Sequence, residues 1–188
     1  MRISLPVRRS VSTVVASAVV LGASLLGASS AHADTRYTWS INDKTIQFAN
    51  GLCLDITGAV YSVGTQLEQW DCNGNAAQRF NLVWTGDLGG HYQVQSAQSP
   101  GLCLNDWEGN HRSGDTIRLY YCGTTNPDSA WDLFETPRGF VLEDHRNSGQ
   151  GANSLALNMA GGDGRGYKGI LYPYIAYVSN EMFGLINN

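Results

Sequence analysis

Residues 51–80 read GLCLDITGAVYSVGTQLEQWDCNGNAAQRF and introduce a pattern that returns along the chain. The cysteine of Cys-Leu-Asp is followed 11 positions later by a glycine and 19 positions later by a second cysteine. The same frame recurs between Gly101 and Trp131 with the same two spacings. A third copy, without cysteines, runs from Ala156 to Phe183. Self-similarity at a fixed period indicates a repeat architecture, so the sequence predicts three repeats.

Each repeat contains short β-rich runs separated by clusters of Gly, Asn, Asp and Ser, a pattern that favours strands joined by turns. The sequence therefore predicts an all-β fold with four strands in each repeat. The twelve predicted strands are 45–48, 52–56, 66–71, 79–84, 92–95, 102–105, 116–121, 131–134, 140–143, 154–158, 169–174 and 182–186. Residues 37–41 are expected to pair with the C-terminal strand and close the structure.

Apolar residues recur at matching positions and are the predicted core. A four-stranded unit of this size cannot bury its own apolar face, whereas three units can share one core. The predicted core positions are Leu54, Leu104, Leu157, Leu67, Ile117, Phe80, Trp131 and Phe183. Alternation along Cys-Leu-Asp sends Leu54 to one face of its strand, and Cys53 and Asp55 to the other.

The first 33 residues have the features of a secretory signal peptide: a positive start, an apolar stretch at 11–26 and Ala31-His32-Ala33. We expect a secreted, extracellular chain of residues 34–188 that forms one domain, with repeats at about 34–86, 87–136 and 137–188. Loss of three arginines with the leader changes the net charge from −4 to −7. An acidic surface argues against nucleic acid as a partner. No stop-transfer pattern follows the leader, so we expect no membrane insertion.

The four cysteines occupy matching positions in the first two repeats. In a secreted chain this predicts two disulfides within repeats. The predicted pairs are Cys53–Cys72 and Cys103–Cys122. The third repeat has Ala156 and Tyr174 in their places, as expected if both partners of a disulfide are lost together. The sequence lacks the closely spaced Cys and His pairs that hold zinc. We predict no metal and no cofactor, and binding that is independent of calcium.

These motifs resemble the R-type (ricin B-chain-like) β-trefoil lectins. The family pattern is a Cys-x-Asp strand, a Gly-Thr turn, a strand ending in Trp-x-Cys and a Gln-x-Trp close, repeated three times. The resemblance covers essentially the whole of residues 34–188. It implies a β-trefoil and a carbohydrate-binding lectin for galactose-type or related sugars, on polysaccharide or glycoprotein.

In this family each repeat can hold one shallow sugar pocket. The Asp of Cys-x-Asp accepts hydrogen bonds from sugar hydroxyls, and the aromatic before the second Cys stacks on the ring. The resemblance implies repeat-one site residues Asp55, Glu68, Trp70, Asn75 and Gln78. It implies Asn105, Asp106, Tyr120 and Asp128 in repeat two, with Arg118 at the position of Glu68. It implies Asn158, Tyr172 and Asn180 in repeat three. Repeat one alone keeps both the Asp and the Gln of the pattern.

Structural explanations exist for the same residues. Asp55 could cap a turn and Trp70 could be a core aromatic, but their recurrence and the separate core aromatics favour sugar contact. Gln78 is expected to brace the pocket or a turn rather than to contact sugar. Trp107 and Glu108 extend the second pocket or pack in their loop. The loop 161–166 is glycine-rich and predicted to be flexible.

Two other functions remain open from sequence. A β-trefoil can be a protein-binding or inhibitory scaffold without sugar binding, acting through a loop such as 107–113 or 161–166. A glycoside-active enzyme would use a pair of carboxylates. The candidates for such a pair are Asp106, Glu108, Asp115, Asp128, Asp132 and Glu135. We do not expect an enzyme, because the repeats occupy all of residues 34–188 and no Gly-x-Ser-x-Gly or His-Glu-x-x-His motif is present.

Overall fold

A computed structural model describes residues 37–187. The predicted signal peptide, residues 1–33, lies outside the described residues. Twelve strands form: β1 Ile41–Phe48, β2 Cys53–Ile56, β3 Leu67–Trp70, β4 Phe80–Thr85, β5 His91–Ser96, β6 Leu102–Asp106, β7 Ile117–Tyr121, β8 Trp131–Thr136, β9 Gly139–Asp144, β10 Leu155–Met159, β11 Gly169–Pro173 and β12 Phe183–Asn187. Residues 37–187 contain no α-helix. Their 3-10 turns are Thr57–Ala59, Ala76–Gln78, Asp87–Gly89, Pro127–Ser129, His145–Asn147 and Gly151–Asn153.

Six of the strands close into an antiparallel barrel. The pairs run β1 to β4, β4 to β5, β5 to β8, β8 to β9, β9 to β12 and β12 back to β1. The other six form three hairpins, β2–β3, β6–β7 and β10–β11, one in each repeat. This barrel with three hairpins is the predicted β-trefoil.

The twelve predicted strands are confirmed to within two residues, except that β1 begins four residues earlier than predicted. The predicted closing segment was wrong. Residues 44–48, not 37–41, pair with β12, and Ile41 pairs instead with Leu82 of β4 after a register shift. Tyr37 packs its ring on Phe140 at 5.8 Å between centroids. Tyr37 therefore packs against the hydrophobic core rather than extending the sheet.

A turn between the hairpin strands of each repeat docks on the neighbouring repeat. Gly64 donates its N–H to the Leu119 carbonyl at 2.8 Å, and Leu119 donates to the Thr65 carbonyl at 2.8 Å. The same pair of bonds joins 114–115 to Leu171, and 166–167 to Gln69. The three turn glycines, Gly64, Gly114 and Gly166, have φ of 88°, 96° and 78°. Glycine adopts this left-handed region without strain, which explains why it recurs in the repeat pattern.

All the predicted core positions are buried in one hydrophobic cluster. Trp131, the largest of them, also donates its indole N–H to the Leu104 carbonyl at 3.1 Å, so its single polar atom is satisfied. Each such side chain contributes about 1.5–3 kcal/mol on burial. The two predicted disulfides are present, with Cα separations of 5.0 and 5.1 Å. Each disulfide joins the start of the first strand of a hairpin, β2 or β6, to the residue just beyond the second strand, β3 or β7.

Among residues 37–187 there is no helix of the length and apolar character needed to cross a membrane.

Candidate functional site

The repeat-one residues lie on the β2–β3 hairpin. Asp55 of β2 is directly opposite Glu68 of β3, and Cys53 is opposite Trp70. Because alternate residues of a strand share a face, Glu68 and Trp70 lie on the same side as Asp55. The Cys53–Cys72 disulfide follows directly after Trp70 and holds this end of the hairpin. One short unit of sequence therefore positions a carboxylate beside an aromatic ring.

Gln78 braces Asp55, as expected. Its Nε2 donates to Asp55 Oδ2 at 2.8 Å and to the Asp71 carbonyl at 2.8 Å, while its Oε1 accepts from the Asn73 N–H at 2.9 Å. Asp55 is only 6% exposed. Burial raises its pKa, and the hydrogen bond from Gln78 opposes that rise. The brace fixes one oxygen of the carboxylate and orients the group.

Glu68 and Asn75 already have partners within the protein. Glu68 forms an ion pair with Lys168, whose Nζ also donates to Thr57 Oγ1 at 3.1 Å. Asn75 precedes the 3-10 turn Ala76–Gln78, and its Oδ1 accepts from the Ala77 N–H at 2.9 Å. Lys168 belongs to repeat three, so the cation that pairs with Glu68 of repeat one comes from a neighbouring repeat. The sequence pattern, which treats each repeat separately, does not reveal this contact.

The loop 161–166, which was predicted to be flexible, forms hydrogen bonds with repeat one. Gln69 Nε2 donates to the carbonyls of Gly162 and Gly164 at 2.5 and 2.6 Å. The ring of Tyr167 lies so close to Gly164 that a Cβ there would be 2.4 Å from it. A side chain at this position would therefore have to displace the Tyr167 ring. A Cβ on Gly166 would lie 3.7 Å from the Trp70 ring, so the loop borders the repeat-one aromatic.

Repeat two lacks the brace. Asn105 is buried, and its Nδ2 has no hydrogen-bond partner among residues 37–187. Ser129, which stands where repeat one has Gln78, is too short to reach it, and its hydroxyl faces the Asn126 carbonyl at 3.4 Å. Asp106 is 1% exposed, and burial raises its pKa to about 6. Its Oδ2 accepts a hydrogen bond from the backbone N–H of His111 at 2.8 Å. Asp106 therefore stabilises the conformation of the loop that follows it.

His111 joins repeats two and three through carboxylates that the sequence did not connect. Its Nδ1 lies 2.8 Å from Asp144 Oδ1, and its Nε2 lies 3.0 Å from Asp128 Oδ1. A carboxylate only accepts, so both contacts are hydrogen bonds at the same time when the ring is an imidazolium that donates from both nitrogens. Burial lowers the pKa of His111, but the hydrogen bonds to Asp144 and Asp128 and the charges of Asp144 and Asp106 outweigh it, and the pKa is raised. Asp128, a predicted sugar contact, is thus a partner of His111.

Repeat three carries a reversed brace. Asn158 Nδ2 donates to Glu181 Oε2 at 3.2 Å, and Asn158 Oδ1 accepts from Asn180 Nδ2 at 2.9 Å. Two predicted site residues therefore bond to each other. Burial raises the pKa of Glu181 to about 7. Of the three repeats, only repeat one presents a carboxylate fixed by a glutamine.

The three aromatics predicted on the surface are exposed, unlike the core aromatics. Trp70 is 42% exposed, Tyr120 39% and Tyr172 41%.

Three carboxylates of the repeat-two loop also approach one another. One oxygen each of Asp106, Glu108 and Asp115 lies within 4.8 Å of the others. All three accept local hydrogen bonds: Asp106 from His111 N–H, Glu108 from Thr116 N–H at 2.6 Å, and Asp115 from the Arg112 N–H at 2.9 Å. They hold the loop in shape.

Comparison with known proteins agrees with this architecture. The family model described as the ricin-type beta-trefoil lectin domain matches residues 43–164. The beta-galactoside-specific lectin 2 of Viscum album is 28% identical over 98 residues, which cover 51% of this chain and 15% of that lectin. The chain thus spans a small part of that curated relative.

Solved structures share the fold at low identity. The designed three-fold symmetric protein ThreeFoil has a TM-score of 0.66 at 22% identity, covering 78% of this chain and 98% of its own. The Rhizoctonia solani agglutinin gives 0.61 at 17%, covering 78% and 95%. The C-half of the earthworm R-type lectin, in complex with GalNAc, gives 0.57 at 15%, covering 79% and 100%. With the family match over most of the described residues, the chain belongs to the ricin-type β-trefoil lectin domain family.

Proposed function

We propose that the protein is a secreted lectin that binds galactose-type or related sugars on polysaccharide or glycoprotein, with repeat one as its best-formed pocket. The observation that carries this proposal is the braced Asp55 carboxylate beside the exposed Trp70 ring. A fixed carboxylate accepts hydrogen bonds from two adjacent hydroxyls. A flat aromatic covers the C–H face of the sugar while its hydroxyls stay in water.

The sugar class is supported by the relatives. The Viscum album lectin is beta-galactoside-specific by name, and the earthworm lectin is in complex with GalNAc. A shallow pocket for a single sugar binds weakly, with a Kd near 1 mM, about −4 kcal/mol. Two or three working pockets on one target would raise the avidity through effective concentration.

We infer that the protein is not an enzyme, because the carboxylates that sequence left as catalytic candidates are engaged within the protein. Asp128 bonds to His111, Asp132 to His145 and Ser148, and Glu135 to the Tyr37 hydroxyl. Glu108 accepts from the backbone and hydroxyl of Thr116. A glycosidase needs one carboxyl group with a raised pKa facing a second across the substrate. The pKa of Asp106 is raised to about 6 and Glu108 and Asp115 lie near it, but Asp106 is 1% exposed, so a substrate could not reach it.

The test is a glycan array probed with three labelled proteins: the wild type, the variant Asp55→Ala/Trp70→Ala, and Trp39→Ala as an exposed aromatic away from the pocket. We expect galactose-type signals from the wild type and Trp39→Ala, and a loss of at least tenfold in the double variant. Equal binding by all three would reject repeat one as the main site. Silence from a folded wild type would instead favour the protein-binding scaffold.

Secretion has its own test. When the full chain is expressed in a secreting bacterial host, the protein recovered from the culture medium should have the intact mass of residues 34–188. Retention in the cell of a chain with residues 1–33 attached would contradict it.

A further inference from the structure

Repeat two carries more exposed aromatic surface than the family pattern requires. Trp107 is 39% exposed, Tyr120 39% and Tyr121 65%. The ring centroids of Trp107 and Tyr120 are 6.1 Å apart, and those of Tyr120 and Tyr121 are 5.5 Å apart. The Arg118 guanidinium carbon lies 5.2 Å from the centre of the Trp107 ring. We call these four side chains the aromatic platform.

The two flanking rings of the platform are not needed for the pairing of the hairpin strands. Trp107 stands where repeat one has Thr57 and repeat three has Ala160. Tyr121 stands where the other repeats have Asp71 and Pro173. All three hairpins form the same pairing with these different residues. A large exposed aromatic at both positions is therefore particular to repeat two and calls for a functional explanation.

The platform is fixed before any ligand arrives. The backbone N–H of Trp107 donates to the Thr116 carbonyl at 3.0 Å, and the Glu108 carboxylate accepts from the backbone N–H of Thr116 at 2.6 Å. One edge of the Trp107 ring lies on Gly64 of repeat one, where a Cβ would be 3.4 Å from it. Its loop is therefore clamped from two sides. A surface that is already ordered binds without an entropic cost for ordering it.

Repeat two has gained aromatic rings, but it has lost the hydrogen-bonding groups that bind a single sugar in the family pattern. Asn105 replaces the carboxylate that accepts from two hydroxyls of one sugar, and Ser129 leaves it without a brace. The rings stand edge to face, at 73° and 64° to each other, so each ring offers its own face to the C–H side of a different sugar. The guanidinium donates to sugar hydroxyls. Loss of the single-sugar carboxylate with gain of neighbouring rings favours a ligand longer than one sugar.

The charge around the platform selects among such ligands. The carboxylates of Glu108, Asp115 and the buried Asp106 lie within 4.8 Å of one another in the loop that carries Trp107, and Arg118 is the one cation of the platform. Like charges within a few ångströms repel, so an anionic polysaccharide is disfavoured. We propose that the aromatic platform is a second binding site, built for consecutive residues of a neutral polysaccharide chain. This deepens the proposed sugar binding and rests on it for the class of ligand.

The test is affinity electrophoresis in native gels that contain laminarin, arabinoxylan or β-1,3-galactan, with polygalacturonate as the anionic control. Four proteins are compared: the wild type, Trp107→Ala/Tyr121→Ala, Trp107→Phe, and Trp39→Ala. We expect at least one neutral polysaccharide to retard the wild type and Trp39→Ala. The double variant should lose at least tenfold in association constant, and Trp107→Phe, which keeps a ring, should lose less.

Two results would overturn the platform: a double variant retarded as strongly as the wild type, or a wild type that no neutral polysaccharide retards. Retardation by polygalacturonate alone would also reject a neutral ligand. The glycan-array signal of Trp107→Ala/Tyr121→Ala separates this site from repeat one, because that signal should be retained for single sugars. If the array shows no repeat-one binding while gel retardation still depends on Trp107, the platform stands and the repeat-one proposal fails.

Discussion

Glu181 accepts a hydrogen bond from the Asn158 amide at 3.2 Å, which is the bond between Asp55 and Gln78 with amide and carboxyl exchanged. In repeat one the carboxyl group lies on the hairpin and the amide lies beneath it. In repeat three the carboxyl group lies beneath, where it is fully buried. The exchange preserves the bond but moves the ionisable group from the pocket into the protein.

Replacement of this buried acid should remove a pH dependence of stability. The pKa of Glu181 is raised from 4.5 to about 7, so the folded state holds the proton more tightly than the unfolded state. The free energy of unfolding therefore falls as pH rises between these values, by about 3 kcal/mol. Glu181→Gln should be the more stable protein at pH 8 and should lack this decline. Urea unfolding at pH 5 and pH 8 measures it, with the surface variant Glu135→Gln as control; equal declines in wild type and Glu181→Gln would contradict it.

The pKa values of His111 and His91, whose side chains are both buried, should be shifted in opposite directions. The pKa of His111 is raised by Asp144 and Asp128 against the effect of burial, whereas burial lowers the pKa of His91. Stability from the His111 contacts is complete below its unfolded pKa of about 6.5 and is lost as pH rises through the folded value. An NMR titration of the ring protons should place His111 above 6.5 and His91 below it. Asp144→Asn should lower the His111 value; no change there would show that Asp144 is not its main partner.

The ion pair between repeats one and three should be worth more than its exposed neighbour. Lys168 and Glu68 side chains are 33% and 12% exposed, whereas those of Arg165 and Asp71 are 61% and 51% exposed. Lys168→Met leaves a largely buried carboxylate without its cation, and we expect a loss of about 1–2 kcal/mol. Arg165→Met, the matched control, should change stability by less than about 0.5 kcal/mol. Denaturant unfolding, completed by a cycle with Glu68→Gln, gives both values, and equal losses would reject the ranking.

The disulfides should stabilise the first two hairpins to the same extent. Each closes a loop with a sequence separation of 19, for which the loop-closure model gives about 3 kcal/mol. Cys53→Ala/Cys72→Ala and Cys103→Ala/Cys122→Ala should each lower the unfolding free energy by that amount. Labelling of the native protein with a thiol reagent should find no free cysteine. A labelled thiol, or one variant as stable as the wild type, would contradict this.

The fold was predictable because the repeated residues perform the same local task three times. Leu54 and its counterparts enter one core, and Gly64 and its counterparts turn into the next repeat. These requirements are written in short segments, so a single sequence displays them. The exposed ring of Trp70 followed from the same frame, since a separate aromatic, Phe80, already supplied the core.

The contacts between repeats were not predictable in this way. His111 meets Asp144 across 33 residues, and Lys168 meets Glu68 across 100, through packing that no local pattern encodes. The glycines of 161–166 suggested flexibility, whereas the structure packs the Tyr167 ring against Gly164, a contact that the sequence does not reveal. Trp107 stood out in the sequence, but the contacts of Tyr120 with both Trp107 and Tyr121 required the structure.

The three turn-to-strand junctions form a ring, because the turn of repeat one docks on repeat two, that of repeat two on repeat three, and that of repeat three on repeat one. A linear repeat protein has end units that can fray and be lost one at a time. A ring has no end unit, so opening any junction weakens the support of both neighbours. The pockets of the three repeats should therefore be lost together when the linked repeats unfold, and not one at a time. A permuted chain that begins at repeat two would retain every junction, whereas a chain of two repeats would retain one.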